Sequence, residues 1–188
     1  TWSIDGVETT ETYDYSETIT VKADPEKTYY TFEGWTWTNT KTGEAIAEFT
    51  EMPAYDVTIT AKFERVPVTL KLVPESTAVI DNDTNGAIVP GTESDPVYIT
   101  GYIYGIASKL KKDALVANYL LVEGDGTIIV TPFKFNICGT GTKVELQDNV
   151  TGEIVETYYI VIFGDINGDS KIDTIDTGMI QDELNSMN

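Results

Sequence analysis

Residues 165–176 read DINGDSKIDTID, the one stretch of the chain in which residue types and spacing together specify a chemistry. Asp165, Asn167 and Asp169 stand first, third and fifth, Asp173 ninth and Asp176 twelfth. A calcium ion takes about six to eight hard oxygens at about 2.3–2.6 Å, and alternate oxygen-bearing side chains on a tight turn converge in that way. With the backbone carbonyl of Lys171 at the seventh place, the predicted ligands are Asp165, Asn167, Asp169, Lys171, Asp173 and Asp176, and the predicted cofactor is Ca2+. The carboxylates repel one another, and a divalent cation among them turns that repulsion into attraction. Ser170 stands sixth, where such calcium loops have Gly, so it must adopt a left-handed backbone at a cost of about 1 kcal/mol. Ile172, eighth, is expected to anchor the loop on its neighbours. Ile175, Met179, Ile180, Leu184 and Met187 then recur at helical spacing, which predicts a helix over 174–187 whose apolar stripe lies on the adjacent domain through Ile175, Met179 and Leu184.

The remaining chain offers little for catalysis. There is no His, which removes the commonest general base and every Ser-His or Cys-His nucleophile pair. No carboxylate outside the loop sits in an apolar setting that would tune it for glycoside chemistry, so no enzyme is expected. A formal charge of −19 repels nucleic acid and anionic lipid and suits an extracellular protein in calcium-containing medium. The single Cys138 excludes an internal disulfide and, within the apolar run 133–138, reads as a small buried hydrophobe. No apolar stretch approaches the length of a membrane span. With no initiator Met or signal peptide, and Thr1 opening inside a strand pattern, the chain reads as a piece of a longer protein. Upstream, Asp81, Asp83 and Asn85 with Gly86 mimic the start of a second calcium loop. Val89 and Thr92 fall where its later ligands belong, so the stretch reads as a turn.

Residues 1–64 read as strands, with apolar alternation over 16–21, an aromatic run over 29–37, and Val57, Ile59, Ala61 and Phe63 on one face of 56–63. Trp35 and Trp37 point the same way, either as a sugar platform or, more commonly, as core, and Trp35 is expected to be mostly buried. Val66-Pro67 marks a hinge. From 67 to 163 the pattern predicts an α+β domain with strands at 68–73, 78–80, 98–104, 120–123, 127–131, 143–147 and 154–163, and a helix over 111–119. Asp125-Gly126 signals a two-residue hairpin and Asn149 to Gly152 a longer one.

Within 1–64, the runs TFEGWTW and TEMPAYDVTITAKFE resemble the InlB B-repeat, or Listeria–Bacteroides repeat, of bacterial surface proteins. Asp5-Gly6, Pro25, Tyr30, Phe32, Gly34, Trp35, Met52, Pro53, Ala54, Asp56, Val57, Ile59 and Ala61 fall on its pattern, and Thr31 fills a tolerant slot. The resemblance implies a β-grasp-like stalk or adhesion module without catalytic residues. The loop of 164–187 departs from the EF-hand in having Ser170 at the sixth place, Asp176 rather than Glu at the twelfth, and a strand instead of a helix before it. It resembles the first half of a dockerin type I repeat, with Thr174 and Ile175 at the family's recognition positions. The segment before it is similar to modules that precede dockerins in clostridial proteins. The resemblance implies a cohesin partner only if a second repeat follows in the parent protein. The expected fold class is therefore mainly β or α+β, with modules at 1–64, 67–163 and 164–188. The expected function is a non-catalytic, secreted or cell-surface bacterial region connected with adhesion or polysaccharide degradation, with a carbohydrate-binding module that contacts cell-wall or plant polysaccharide as the alternative.

Overall fold

The computed structural model describes residues 1–82 and 101–187. The chain divides into two compact units, Thr1–Val66 and Pro67–Asn188. The segment 164–188, expected as a third module, falls inside the second.

The first unit is a five-stranded mixed sheet in the order β2-β1-β5-β3-β4, built from β1 (Trp2–Ile4), β2 (Val7–Thr9), β3 (Tyr30–Asn39), β4 (Ala45–Ile46) and β5 (Val57–Arg65). Asp5 and Gly6, with φ of 50° and 78°, make the β1–β2 turn; two successive positive φ values match the right-handed twist of a hairpin. Central β5 pairs in parallel with β1 and antiparallel with β3. Val57, Ile59 and Ala61 are buried as their alternation requires, and Val57 and Ile59 share a core cluster with Trp2, Ile19 and Trp37. A bulge in β3 between Phe32 and Gly34 changes which residues share a face. Phe32 thereby joins the face of Trp35, with ring centroids 5.3 Å apart and edges to faces. Gly34, at φ 120°, occupies a conformation that L side chains rarely adopt.

Two expectations for this unit need correction. The stretch 16–21 makes one isolated bridge, Thr18 to Glu51, rather than a strand, because its partner segment around 50–52 is equally short and bent. The unit also holds no helix, which a β-grasp would pack on its sheet. Ile19, Tyr13, Phe49 and Met52 from extended segments cover that face instead.

The second unit has a five-stranded sheet in the order β10-β11-β12-β8-β7 and a two-stranded sheet, β6-β9. Its strands are β6 (Thr69–Leu72), β7 (Val79–Asp81), β8 (Gly101–Tyr104), β9 (Leu120–Glu123), β10 (Gly126–Thr131), β11 (Lys143–Asp148) and β12 (Ile154–Ile160). Helix α1 (Lys112–Tyr119) runs directly into β9, and α2 (Thr174–Ser186) closes the chain. Leu70, Leu115, Leu120, Ile103, Val144, Leu146 and Ile160 form one core between the sheets. Residues 98–100 of the expected strand 98–104, and the turn expected from Asp83 onward, lie outside the described residues.

The β11–β12 connection through 149–152 is a hairpin, but Asp125-Gly126 is not. β9 pairs with β6 and β10 with β11, so the turn carries the chain from one sheet to the other. Glycine is needed at 126 for space: a Cβ there would lie 2.4 Å from Val68 Cγ1. β12 also ends earlier than expected, because the Thr140 hydroxyl both accepts from the Ile162 N–H (3.0 Å) and donates to the Ile162 carbonyl (3.2 Å). A side chain thus takes the place of a strand partner just where the chain must turn into the loop.

Candidate metal centre

β12 delivers the chain through buried Ile162 and through Gly164 (φ 97°) to Asp165. Asp165 is only 1% exposed, unusual for a carboxylate. Its Oδ2 accepts from the N–H groups of Thr140 (2.8 Å) and Ser170 (3.1 Å), whereas its Oδ1 is buried with no hydrogen-bond partner. Asp176, 2% exposed, is the other buried carboxylate of the loop. Its Oδ1 accepts from Ile166 N–H (2.8 Å) and Asn167 N–H (3.2 Å), and its Oδ2 from Asp173 N–H (2.9 Å). These backbone donors, that of Asp173 first, hold the Asp176 carboxyl below the usual range, against the opposing effect of burial.

The smaller turns are also self-bonded. Asn167 Oδ1 accepts from Asp169 N–H (2.8 Å) and Asp169 Oδ1 from Lys171 N–H (2.9 Å). Asp173 caps α2 by accepting from Ile175 N–H (2.9 Å), and with Asp176 it forms a reciprocal capping box. The six residues singled out in the sequence thus share one loop, but their oxygens mostly face backbone N–H groups. Among the described residues, no group of three or more His, Cys, Asp or Glu side chains is gathered closely enough to hold a metal.

The fit to a cation rests on chemistry and on one atom. The donor set is all oxygen, as calcium prefers, and a buried carboxylate oxygen without a partner, Asp165 Oδ1, is costly unless something cationic or hydrogen-bonding meets it.

Several parts of the site were not legible in the sequence. Ser170 does take the left-handed backbone, φ 64°, yet it is also 0% exposed. Its Oγ donates to the Cys138 carbonyl (3.0 Å) and accepts from Lys109 N–H (2.7 Å). Lys134 Nζ donates to the Asn167 carbonyl. A Cβ on Gly168 would lie 2.5 Å from the Phe133 ring and 2.6 Å from the Thr140 carbonyl. The only sequence signal for this contact was a serine where such loops have glycine. Ile172, the expected anchor, is 63% exposed, because Ser170 and Gly168 face the body of the unit instead. The stripe on α2 is also solvent-facing: Ile175, Met179, Ile180 and Leu184 are all exposed, and Asp176 is the helix's one buried residue. The helix is therefore fastened by its first turn and not by its apolar face.

In the first unit, Trp37 is 4% exposed, with its ring 5.0 Å from that of Phe49. Trp35 meets Trp2 edge to face at 5.2 Å. Trp35 is thus mostly buried, as expected, though less deeply than Trp37. With Trp37 in the core, the two rings do not form an exposed pair.

Residues 3–67 match the divergent InlB B-repeat domain. No curated protein and no solved structure matches the chain. The match supports a surface-associated bacterial module for this part of the chain. In the matched residues the pattern positions have structural roles: Asp5-Gly6 turns β1 into β2, Gly34 follows the bulge, and Val57, Ile59 and Ala61 line the core.

Proposed function

We propose that this chain is a non-catalytic structural region of a secreted or cell-surface bacterial protein, with its B-repeat domain serving as a stalk or adhesion module and its 165–176 loop holding one calcium ion. The ion would be held by side-chain oxygens of Asp165, Asn167, Asp169, Asp173 and Asp176 and by the Lys171 carbonyl. When bound, it supplies positive charge to the loop's carboxylates. The observation that carries the cation reading is the buried, unpartnered Oδ1 of Asp165. The loop and helix resemble one half of a dockerin repeat, and cohesin binding or a cellulosomal role would need a second repeat in the parent protein.

Calorimetry on the full chain tests this reading. Calcium is expected to bind with one ion per chain and magnesium more weakly, since magnesium demands a tighter octahedral shell. Absence of calcium binding at millimolar concentration would refute the cation reading and leave the structural role of the B-repeat domain standing.

A further inference from the structure

Ser170 is where the loop departs from glycine, and its surroundings give the departure a purpose. A non-glycine residue at φ 64° is strained, so serine at this place needs a compensating gain. Its hydroxyl makes two hydrogen bonds out of the loop, to Cys138 and Lys109, which lie 32 and 61 positions away. The opposing backbone is fitted closely: a Cβ on Gly139 would lie 2.7 Å from both Ser170 N and the Gly168 carbonyl and 2.9 Å from Asp165 Oδ2. That same Oδ2 takes one N–H from each side of the seam, Thr140 and Ser170. The carboxylate at the head of the loop is thus oriented partly by the loop and partly by a segment outside it.

We propose that Ser170 is a positioning residue that clamps the 165–176 loop onto residues 138–140, so that cation binding in the loop is coupled to closure of the seam over Cys138. The proposal rests on the reading of the loop as a cation site. It runs opposite to the simplest view of the loop. If Ser170 were only a tolerated stand-in, Ser170→Gly would relieve strain and bind calcium as well or better. With the clamp, Ser170→Gly removes both hydrogen bonds and leaves the Lys109 N–H without its acceptor.

The chain's one cysteine supplies the probe, because Cys138 is 0% exposed and reacts only when its surroundings open. The full chain is labelled with a thiol reagent in CaCl2 or in EGTA, and calcium affinity is measured in parallel by calorimetry. At a hundred times its dissociation constant, calcium is expected to slow labelling of the unsubstituted protein about a hundredfold. In Ser170→Gly that protection is expected to fall below about tenfold, with affinity about tenfold weaker. Ser170→Ala, which also lacks the hydroxyl, gives a second reading should one variant fail to fold by circular dichroism. Calcium protection and affinity in the folded variants equal to those of the unsubstituted protein would overturn the clamp and leave the cation site intact. Calcium binding without any protection of Cys138 would also overturn the coupling alone. No calcium binding to the unsubstituted protein would overturn the cation site, and the coupling with it.

Discussion

Replacing Asp165 by asparagine keeps the side chain's shape and one carbonyl oxygen while removing its charge. In the structure one oxygen serves Thr140 and Ser170 and the other has no partner. The amide oxygen of the substituted side chain retains the first role. In excess chelator the variant should therefore lie within about 1 kcal/mol of the unsubstituted protein, since loss of an uncompensated buried charge offsets weaker hydrogen bonds. In calcium the two should separate. A site of about 10 μM affinity at 1 mM calcium stabilises the folded state by roughly 2.7 kcal/mol. Unfolding the roughly 120 residues of the second unit carries an entropy of about 0.25 kcal/mol/K, so the melting temperature should rise by about 10 °C. Asp165→Asn should lose most of that rise. Asp165→Ala should in addition lose about 2–5 kcal/mol under both conditions, because two buried N–H groups lose their acceptor. Circular dichroism melts in CaCl2 and in EGTA read the second unit. The three tryptophans, Trp2, Trp35 and Trp37, all lie in the first unit, so their fluorescence provides a control that should not respond to calcium. Equal destabilisation of Asp165→Asn with and without calcium would mean that the carboxylate only builds the turn.

Burial pushes the Cys138 thiol up to about 11. A raised acid pKa favours the protonated folded form, so this contribution is complete below the unfolded thiol's value near 9 and is lost as pH climbs from there toward 11. Urea midpoints should accordingly fall between about pH 8 and 10.5, and Cys138→Ala should flatten that part of the decline. Trp37→Ala should destabilise the first unit by about 3–5 kcal/mol, and Trp35→Ala by less, as judged from chemical denaturation. Met179→Gln should change stability by no more than about 0.5 kcal/mol in thermal melts, since the side chain is already exposed; a loss of several kcal/mol would show that the stripe is covered in solution.

Local rules account for what was readable. Asp5-Gly6 produces a turn because both residues tolerate positive φ, and the alternation of Val57, Ile59 and Ala61 places them on one face because strand side chains repeat every second residue. The spacing of 165–176 brings its oxygens into one loop, and Ser170 is forced into the left-handed region by its place in that loop. Each of these depends on neighbours a few residues away, so the amino-acid order alone determines it. Other features depend on distant partners. Asp125-Gly126 carries a hairpin signal, but pairing was decided by β6 and β11, whose contacts with β9 and β10 hold the two strands in different sheets. The depth of Trp35 and Trp37 followed from the β3 bulge and from Trp2 and Phe49 across the core. The exposure of the α2 stripe, against its helical pattern, reflects a helix tied down at its first turn. The orphaned oxygen of Asp165 and the bonds from Ser170 to Cys138 and Lys109 exist only because β12 brings the loop against residues 133–141. Spacing along a chain sets which groups share a turn, whereas burial and hydrogen-bond satisfaction are set by whatever the folded chain places beside them.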